Sequence, residues 1–229
     1  LILAGGFGTR LSKVLADRPK ALAEVNGRPF ITYIFDQLID AGLNNIIVCT
    51  GYMSEKIVAT IGNNYKNIKI LYSKEEIPLG TAGAARRAAL YVSNKTMMIM
   101  NGDSYINTDF KEFINWHSQH DSFPSILLTK VQESNRYGNV ILKSNKIVSF
   151  SEKTDYAKNK LINAGVYLIP TEKLSQIEEN SNISFEKELF PKWAKNGWLY
   201  GFYKKAEFID IGTPESLKEA QSFFSKINN

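Results

Sequence analysis

Apolar and polar positions fall into two regimes along the 229-residue chain. Up to about residue 121, short apolar runs alternate with stretches whose apolar side chains recur every three or four positions. The runs Asn45–Thr50, Ile68–Tyr72 and Thr96–Met100 predict strands. Pro29–Ala41 puts Phe30, Tyr33, Ile34, Leu38 and Ile39 at helical spacing, and Asp40-Ala-Gly42 stops that helix with Gly42 just past its cap. Further helices are expected at Ser54–Ile61, capped by Ser54, at the alanine-rich Thr81–Tyr91 after Gly80, and near Asp109–His120. Strands alternating with helices predict a largely parallel sheet covered on both faces.

From Ser125 the pattern changes. Ser125–Lys130, Asn139–Lys143 and Lys146–Ser151 read as short strands, with Lys143-Ser-Asn-Lys146 as a hairpin turn. Asn163–Ile169 is a further strand stopped by Pro170, and Pro191 falls at a helix start. In the tail, Pro214 to Ile227, Leu217, Ala220, Phe223 and Phe224 sit at helical spacing, with Pro214 at the first helical position. No repeat or low-complexity linker divides the chain. The expectation is one domain over 1–229, with an α/β half to about 121 and a mixed half over about 122–229.

Composition narrows the class of protein. At 44% hydrophobic and 22% charged, the chain carries enough apolar surface for a core, which excludes intrinsic disorder. No stretch approaches the roughly 18 apolar residues of a membrane span, so no membrane partner is expected. A net charge of +5 suits anionic small molecules. The lysines are scattered rather than gathered in a stripe with aromatics, so no nucleic-acid partner is expected. Cys49, the single cysteine, sits in an apolar run and permits no intrachain disulfide, which points to a reducing cytoplasm. The opening Leu1–Gly6 is too short for a signal peptide and reads as a strand.

Ligands of open parallel sheets bind beyond the carboxyl ends of the strands. Three segments are expected at such ends: Gly5–Leu11, Asn101–Ser104, and Asp210–Thr213 after Glu207-Phe-Ile. Gly5-Gly-Phe-Gly-Thr-Arg10 is dense in backbone N–H groups able to wrap phosphate oxygens, with Arg10 adding a charged fork. It is neither a P-loop, which needs Gly-Lys-Ser/Thr, nor a dinucleotide fingerprint, since Gly6-x-Gly8 is followed by Leu11 where the third glycine belongs. A plain structural turn also fits these glycines. Lys20 is a second cation, or a solvated loop lysine. Asp103 and Asp210, each after a short apolar run, could share a Mg²⁺, although either alone also fits a turn former. Glu152-Lys153 could equally be an exposed hairpin pair. His117 and His120, without an HExxH pattern, are expected at the surface rather than on a metal.

Gly5-Gly-Phe-Gly-Thr-Arg-Leu11, Arg18-Pro-Lys20, Pro78-Leu-Gly-Thr-Ala-Gly83, Asn101-Gly-Asp103, Phe150-Ser-Glu-Lys153, Asn163-Ala-Gly165 and Phe208-Ile-Asp-Ile-Gly212 recur in order. Together they resemble the sugar-1-phosphate nucleotidylyltransferases, and the resemblance spans essentially the whole chain. It implies an α/β, Rossmann-like three-layer sandwich with a mostly parallel mixed central sheet and a small β-rich sugar-binding portion. The implied reaction joins a nucleoside triphosphate to a sugar 1-phosphate and releases pyrophosphate. By motif, Arg10 and Lys20 would hold the triphosphate and Asp103 and Asp210 would hold Mg²⁺. Lys153 would bind the phosphate of the sugar, while Tyr137, Gly138, Glu152 and Asn163 would line the sugar pocket. Leu3, Ala4, Gly5, Gly6, Gly8, Thr9, Gly80 and Thr81 would meet the nucleotide. Family members are often dimers or tetramers, and a homodimer is one expectation here.

One position departs from the uridylyl and thymidylyl branches, which resemble one another in carrying glutamine five residues before the glycine of Pro78-Leu-Gly80. Here it is Glu75. A carboxylate offers only acceptors and matches the adjacent N1–H and N2–H₂ donors of guanine, so GTP is the expected triphosphate. An exposed glutamate beside Glu76 is the alternative. Val25-Asn-Gly-Arg-Pro-Phe30, Asn135-Arg-Tyr-Gly138 and Ser184-Phe-Glu-Lys187 resemble the guanylyltransferase branch that takes a heptose 1-phosphate for surface polysaccharides or glycoproteins. Branches taking mannose 1-phosphate or muramate 1-phosphate remain alternatives. A silent sugar-nucleotide sensor would be expected to lose Arg10, Lys20 or a carboxylate, and all are present.

Overall fold

The computed structural model describes residues 1–8, 11, 15, 17–120, 122–131, 137–151 and 161–227. Strand β1 (Ile2–Leu3) is followed by a small hairpin, β2 (Glu24–Val25) with β3 (Arg28–Pro29). Then come α1 (Ile31–Asp40), β4 (Asn45–Thr50), α2 (Ser54–Ile61), β5 (Asn64–Tyr65), β6 (Ile68–Lys74) and α3 (Gly80–Ala88). Strands β7 (Thr96–Asn101) and β8 (Ser104–Ile106) precede α4 (Phe110–His117). The later elements are β9 (Ser125–Lys130), β10 (Asn139–Lys143), β11 (Lys146–Ser151), β12 (Leu161–Pro170) and α5 (Thr171–Ser175). A π-helical turn at Phe185–Leu189 runs into α6 (Phe190–Lys195), followed by β13 (Tyr200–Tyr203), β14 (Phe208–Asp210) and α7 (Pro214–Ile227).

Among the described residues, ten strands form one mixed sheet in the order β10-β11-β13-β9-β12-β7-β1-β4-β6-β5. The pairs β7–β1, β1–β4 and β4–β6 are parallel, whereas β12 runs antiparallel to both β7 and β9. β10 pairs with β12 as well as with β11, so β10, β11, β13, β9 and β12 close into a ring at one end of the sheet. The β-rich portion is therefore an extension of the same sheet.

Alternate residues of the central strands feed two cores. Ile46, Val48, Met98 and Met100 join the cluster under α1, α4 and α7, while Ile47, Cys49, Met97 and Ile99 join the one under α3, α5 and α6. Both faces of these strands are buried, which is why they read as unbroken apolar runs. Helix α1 buries Tyr33, Ile34 and Leu38 as predicted and leaves Ile39 half-buried; Ile31 and Phe35, outside the predicted set, are buried with them, and Gly42 follows its cap in a left-handed conformation. Phe224 of α7 stacks on Tyr33 at 3.8 Å and meets Tyr105 at 4.8 Å edge-on, fastening the C-terminal helix to α1 and β8.

Three expectations need correction. Ser54 does not cap α2: Met53 occupies the cap in a left-handed conformation, and the buried Ser54 Oγ pairs with Thr50 Oγ at 2.8 Å across the sharp turn from β4. His117 is buried rather than at the surface, with Nδ1 2.8 Å from Ser125 Oγ, because α4 packs that face on β9. His120 stacks on Trp116. Finally, β14 does not end a strand of the main sheet. It pairs antiparallel with β8 in a separate ribbon, since three residues suffice for that local partner directly after Asp103.

Candidate active site

β1, β4 and β7 end side by side, and their loops open a cavity of ≈ 1020 Å³. Every candidate among the described residues lines it: Leu3, Ala4, Gly5, Gly6 and Gly8 from the loop after β1; Lys20; Glu75, Gly80 and Thr81; Asp103; Tyr137, Gly138 and Asn163; and Asp210. Thr9, Arg10, Glu152 and Lys153 lie outside the described residues.

The ribbon answers how two aspartates so far apart in sequence meet. Its register sets Asp210 opposite Ser104, and Ile211 N donates to the carbonyl of Asp103 at 2.9 Å. Lys20, mostly buried, places Nζ 2.6 Å from Asp103 Oδ2. The same ammonium lies beside Gly212, whose N–H donates to Asp210 Oδ1 at 2.7 Å. Tyr137 donates its hydroxyl to Asp210 Oδ2. Among the described residues, Asp103 is thus compensated by the Lys20 ammonium and Asp210 by hydrogen bonds from Tyr137 and Gly212. No cluster of three or more metal-ligating side chains occurs among the described residues, so a cation held here would draw on these two carboxylates and complete its shell with phosphate or water oxygens.

At another wall of the cavity, Glu75 accepts from Leu79 N at 3.0 Å through Oε2. Its Oε1 faces Gly5, where a Cβ would come within 2.9 Å. A side chain at Gly5 would therefore push the carboxylate aside. Burial pushes the Glu75 carboxyl above the ordinary glutamate range, partly offset by the Leu79 hydrogen bond and the positive charge of Arg87.

The first turn of α3 is already occupied by protein. Ala82 N donates to the carbonyl of Ile183 at 2.9 Å, and Ile183 N donates to that of Leu79 at 2.9 Å. Gly80 is left-handed (φ 69°) and a Cβ there would sit 2.5 Å from Ile183 O. These amides are therefore not open to a phosphate. Thr81 Oγ1 donates to Glu186 Oε2 at 2.7 Å and accepts from Phe185 N at 2.8 Å. Asn163 Nδ2 donates to the hydroxyl of Tyr167 at 2.8 Å, which donates to Glu186 Oε1 at 3.0 Å. Burial, and next the charge of Glu186, raise the Tyr167 hydroxyl well above its ordinary pKa, keeping it a donor.

Glu186 lines the cavity but was not among the sequence candidates. Its signal was the Ser184-Phe-Glu-Lys187 segment, which says nothing of Thr81 and Tyr167 until the chain has folded. Asn101, Phe7 and Tyr52 also line the cavity, the two rings lying 5.5 Å apart.

A family model described as nucleotidyl transferase matches residues 1–227. The chain is 36% identical to a D-glycero-alpha-D-manno-heptose 1-phosphate guanylyltransferase of Aneurinibacillus thermoaerophilus, over 96% of each chain. It is 32% identical to the mannose-1-phosphate guanylyltransferase catalytic subunit beta of Drosophila melanogaster, spanning 95% of this chain but only 60% of that one. Crystal structures of HddC from Yersinia pseudotuberculosis, alone and complexed with GMP-PN, superpose with a TM-score of 0.86 at 33% identity over 97% of each chain. The mixed sheet, the cavity at its carboxyl edge and the ordered motifs that line it have one common explanation: the chain belongs to the nucleotidyl transferase family.

Proposed function

We propose that this protein transfers a guanylyl group from GTP to D-glycero-α-D-manno-heptose 1-phosphate, forming GDP-heptose and pyrophosphate for a surface polysaccharide or glycoprotein. The observation that carries the reading is one cavity lined by Glu75, by Lys20, Asp103 and Asp210, and by Asn163 and Glu186, which the buried Tyr167 links. The chain is 36% identical to the heptose-specific relative and 32% identical to the mannose-specific one.

In this reading residues to about 121 hold the nucleotide and the rest the sugar. Glu75 receives guanine N1–H and N2–H₂, while the backbone of Leu3 to Gly8 surrounds the base, ribose and phosphates and that of Gly80 meets the base and ribose. The sugar phosphate attacks the α-phosphorus in line and pyrophosphate departs. The protein's part is positioning and charge neutralisation. Lys20 exchanges Asp103 for the incoming phosphates, joined by Arg10, while Lys153 anchors the sugar phosphate. Tyr137, Gly138, Glu152 and Asn163 border the sugar. Asp103 and Asp210 would hold Mg²⁺, a hard ion suited to two carboxylates plus phosphate oxygens, which when bound would draw charge from the reacting phosphates. We place the reaction in the cytoplasm, a reducing compartment in which the free Cys49 stays a thiol.

Pyrophosphate release from four triphosphates crossed with heptose, mannose and glucose 1-phosphates tests this. GTP with heptose 1-phosphate should be fastest, and Asp103→Asn should lower the rate roughly a hundredfold or more in Mg²⁺. Preference for UTP or dTTP, or full activity of Asp103→Asn, would defeat the assignment.

A further inference from the structure

Glu186 is a carboxylate in a substrate cavity with no lysine or arginine against it among the described residues. Its protein partners are hydroxyls: Thr81 at 2.7 Å and Ser184 at 2.9 Å on Oε2, and Tyr167 at 3.0 Å on Oε1. A carboxylate has about four acceptor sites, so one remains on Oε1. Tyr167 reaches Glu186 while accepting from Asn163, so its hydrogen is committed and its orientation fixed. The glutamate itself rides on the π-helical turn Phe185–Leu189, a conformation that recurs at functional sites and here turns residue 186 toward the cavity. An anionic acceptor surrounded by neutral donors repels phosphate and attracts a neutral hydroxyl, which places phosphate at the Lys20 end and the polyol at this one.

We propose that Glu186 is a specificity residue that accepts a hydrogen bond from a ring hydroxyl of the sugar 1-phosphate, with Asn163 and Tyr167 holding its carboxylate in place. The proposal rests on the guanylyltransferase reading above. Hydrogen bonds to charged groups contribute about 1.5–3 kcal/mol, so losing this one should cost roughly ten- to a hundredfold in kcat/KM.

The test compares wild type and Glu186→Gln on GTP with D-glycero-α-D-manno-heptose 1-phosphate and with its 2-, 3- and 4-deoxy analogues. The variant should lose its activity through the KM of the sugar phosphate, with the KM of GTP within about twofold of wild type. One deoxy analogue, lacking the hydroxyl that Glu186 reads, should be used equally by both proteins. If the variant does not fold, Glu186→Asp, which keeps the charge and retracts it by one methylene, should show the same pattern. An equal penalty across all four sugars, or a parallel rise in the KM of GTP, would make Glu186 a structural residue and overturn the proposal. Failure of the wild type to release pyrophosphate with any of them would instead remove the guanylyltransferase reading, and this proposal with it.

Discussion

Leu79 N already occupies Oε2 of Glu75, so the nearby Oε1 is the main acceptor left for an incoming base. In Glu75→Gln the amide carbonyl would keep the Leu79 bond and turn its NH₂ toward guanine, setting a donor against two donors. GTP use should fall about tenfold or more, while UTP or dTTP use should hold or improve, as competition among the four triphosphates would show. Because burial raises the Glu75 carboxyl, it protonates at a higher pH than an ordinary glutamate. The KM of GTP should therefore climb as pH falls through that raised value, and stay flat in the glutamine variant. Lys20, Asp103 and Asp210 were legible in the sequence because each sits in a short motif with a physical reason for its residue type. Glu186 was not, because its partners Thr81, Tyr167 and Ser184 come from separate segments. His117 was misread for a related cause: nothing in its own helix announces that Ser125 will bury it.

Strands and helices whose signals are local were read at or near their observed bounds. β4, β9, β10 and β11 are apolar runs punctuated by turn residues, and α7 begins at a proline and keeps its period to Ile227. The β8–β14 ribbon was hidden, since three residues carry too little pattern to reveal a partner a hundred positions away. The same holds for the clasp at α3, where residues 181–183 fold over the helix start. Gly80 makes that clasp feasible through both its left-handed backbone and its missing Cβ. Gly80→Ala should destabilise the protein by about 2 kcal/mol or more, because the strain and the collision with a backbone carbonyl have no side-chain escape. Urea unfolding monitored by tryptophan fluorescence measures the loss, and an unchanged midpoint would show that the clasp yields freely.

On the scale of the molecule, the sequence showed an α/β half and a mixed half but not how they join, because the joining is by long-range pairing. Gly201 lies inside the ring, where a Cβ would meet Leu128 Cδ1 at 2.7 Å, Leu142 Cδ1 at 2.8 Å and Ile147 Cγ1 at 3.1 Å. The two nearest are ends of leucine side chains, which can give, so Gly201→Ala should be mild. Gly201→Leu should overpack the ring and cost about 1–3 kcal/mol, read from the shift in denaturation midpoint. Strand β12 is shared by the ring and the open sheet: Val166–Pro170 pair with β7, while Leu161 and Ile162 pair with β10. Asn163 and Tyr167 ride on this one strand, and Asp103 follows its neighbour β7. Both ends of the cavity are thus tied to one strand, whose pairing with β9 is interrupted between Asn163 and Tyr167, where Gly165 is left-handed (φ 74°). On the proposed reading that strand is a common baseline from which the places of both reactants are measured. On the same reading, adjustment to their arrival would fall to smaller parts, foremost the ammonium of Lys20, which would let go of Asp103 to take up a phosphate.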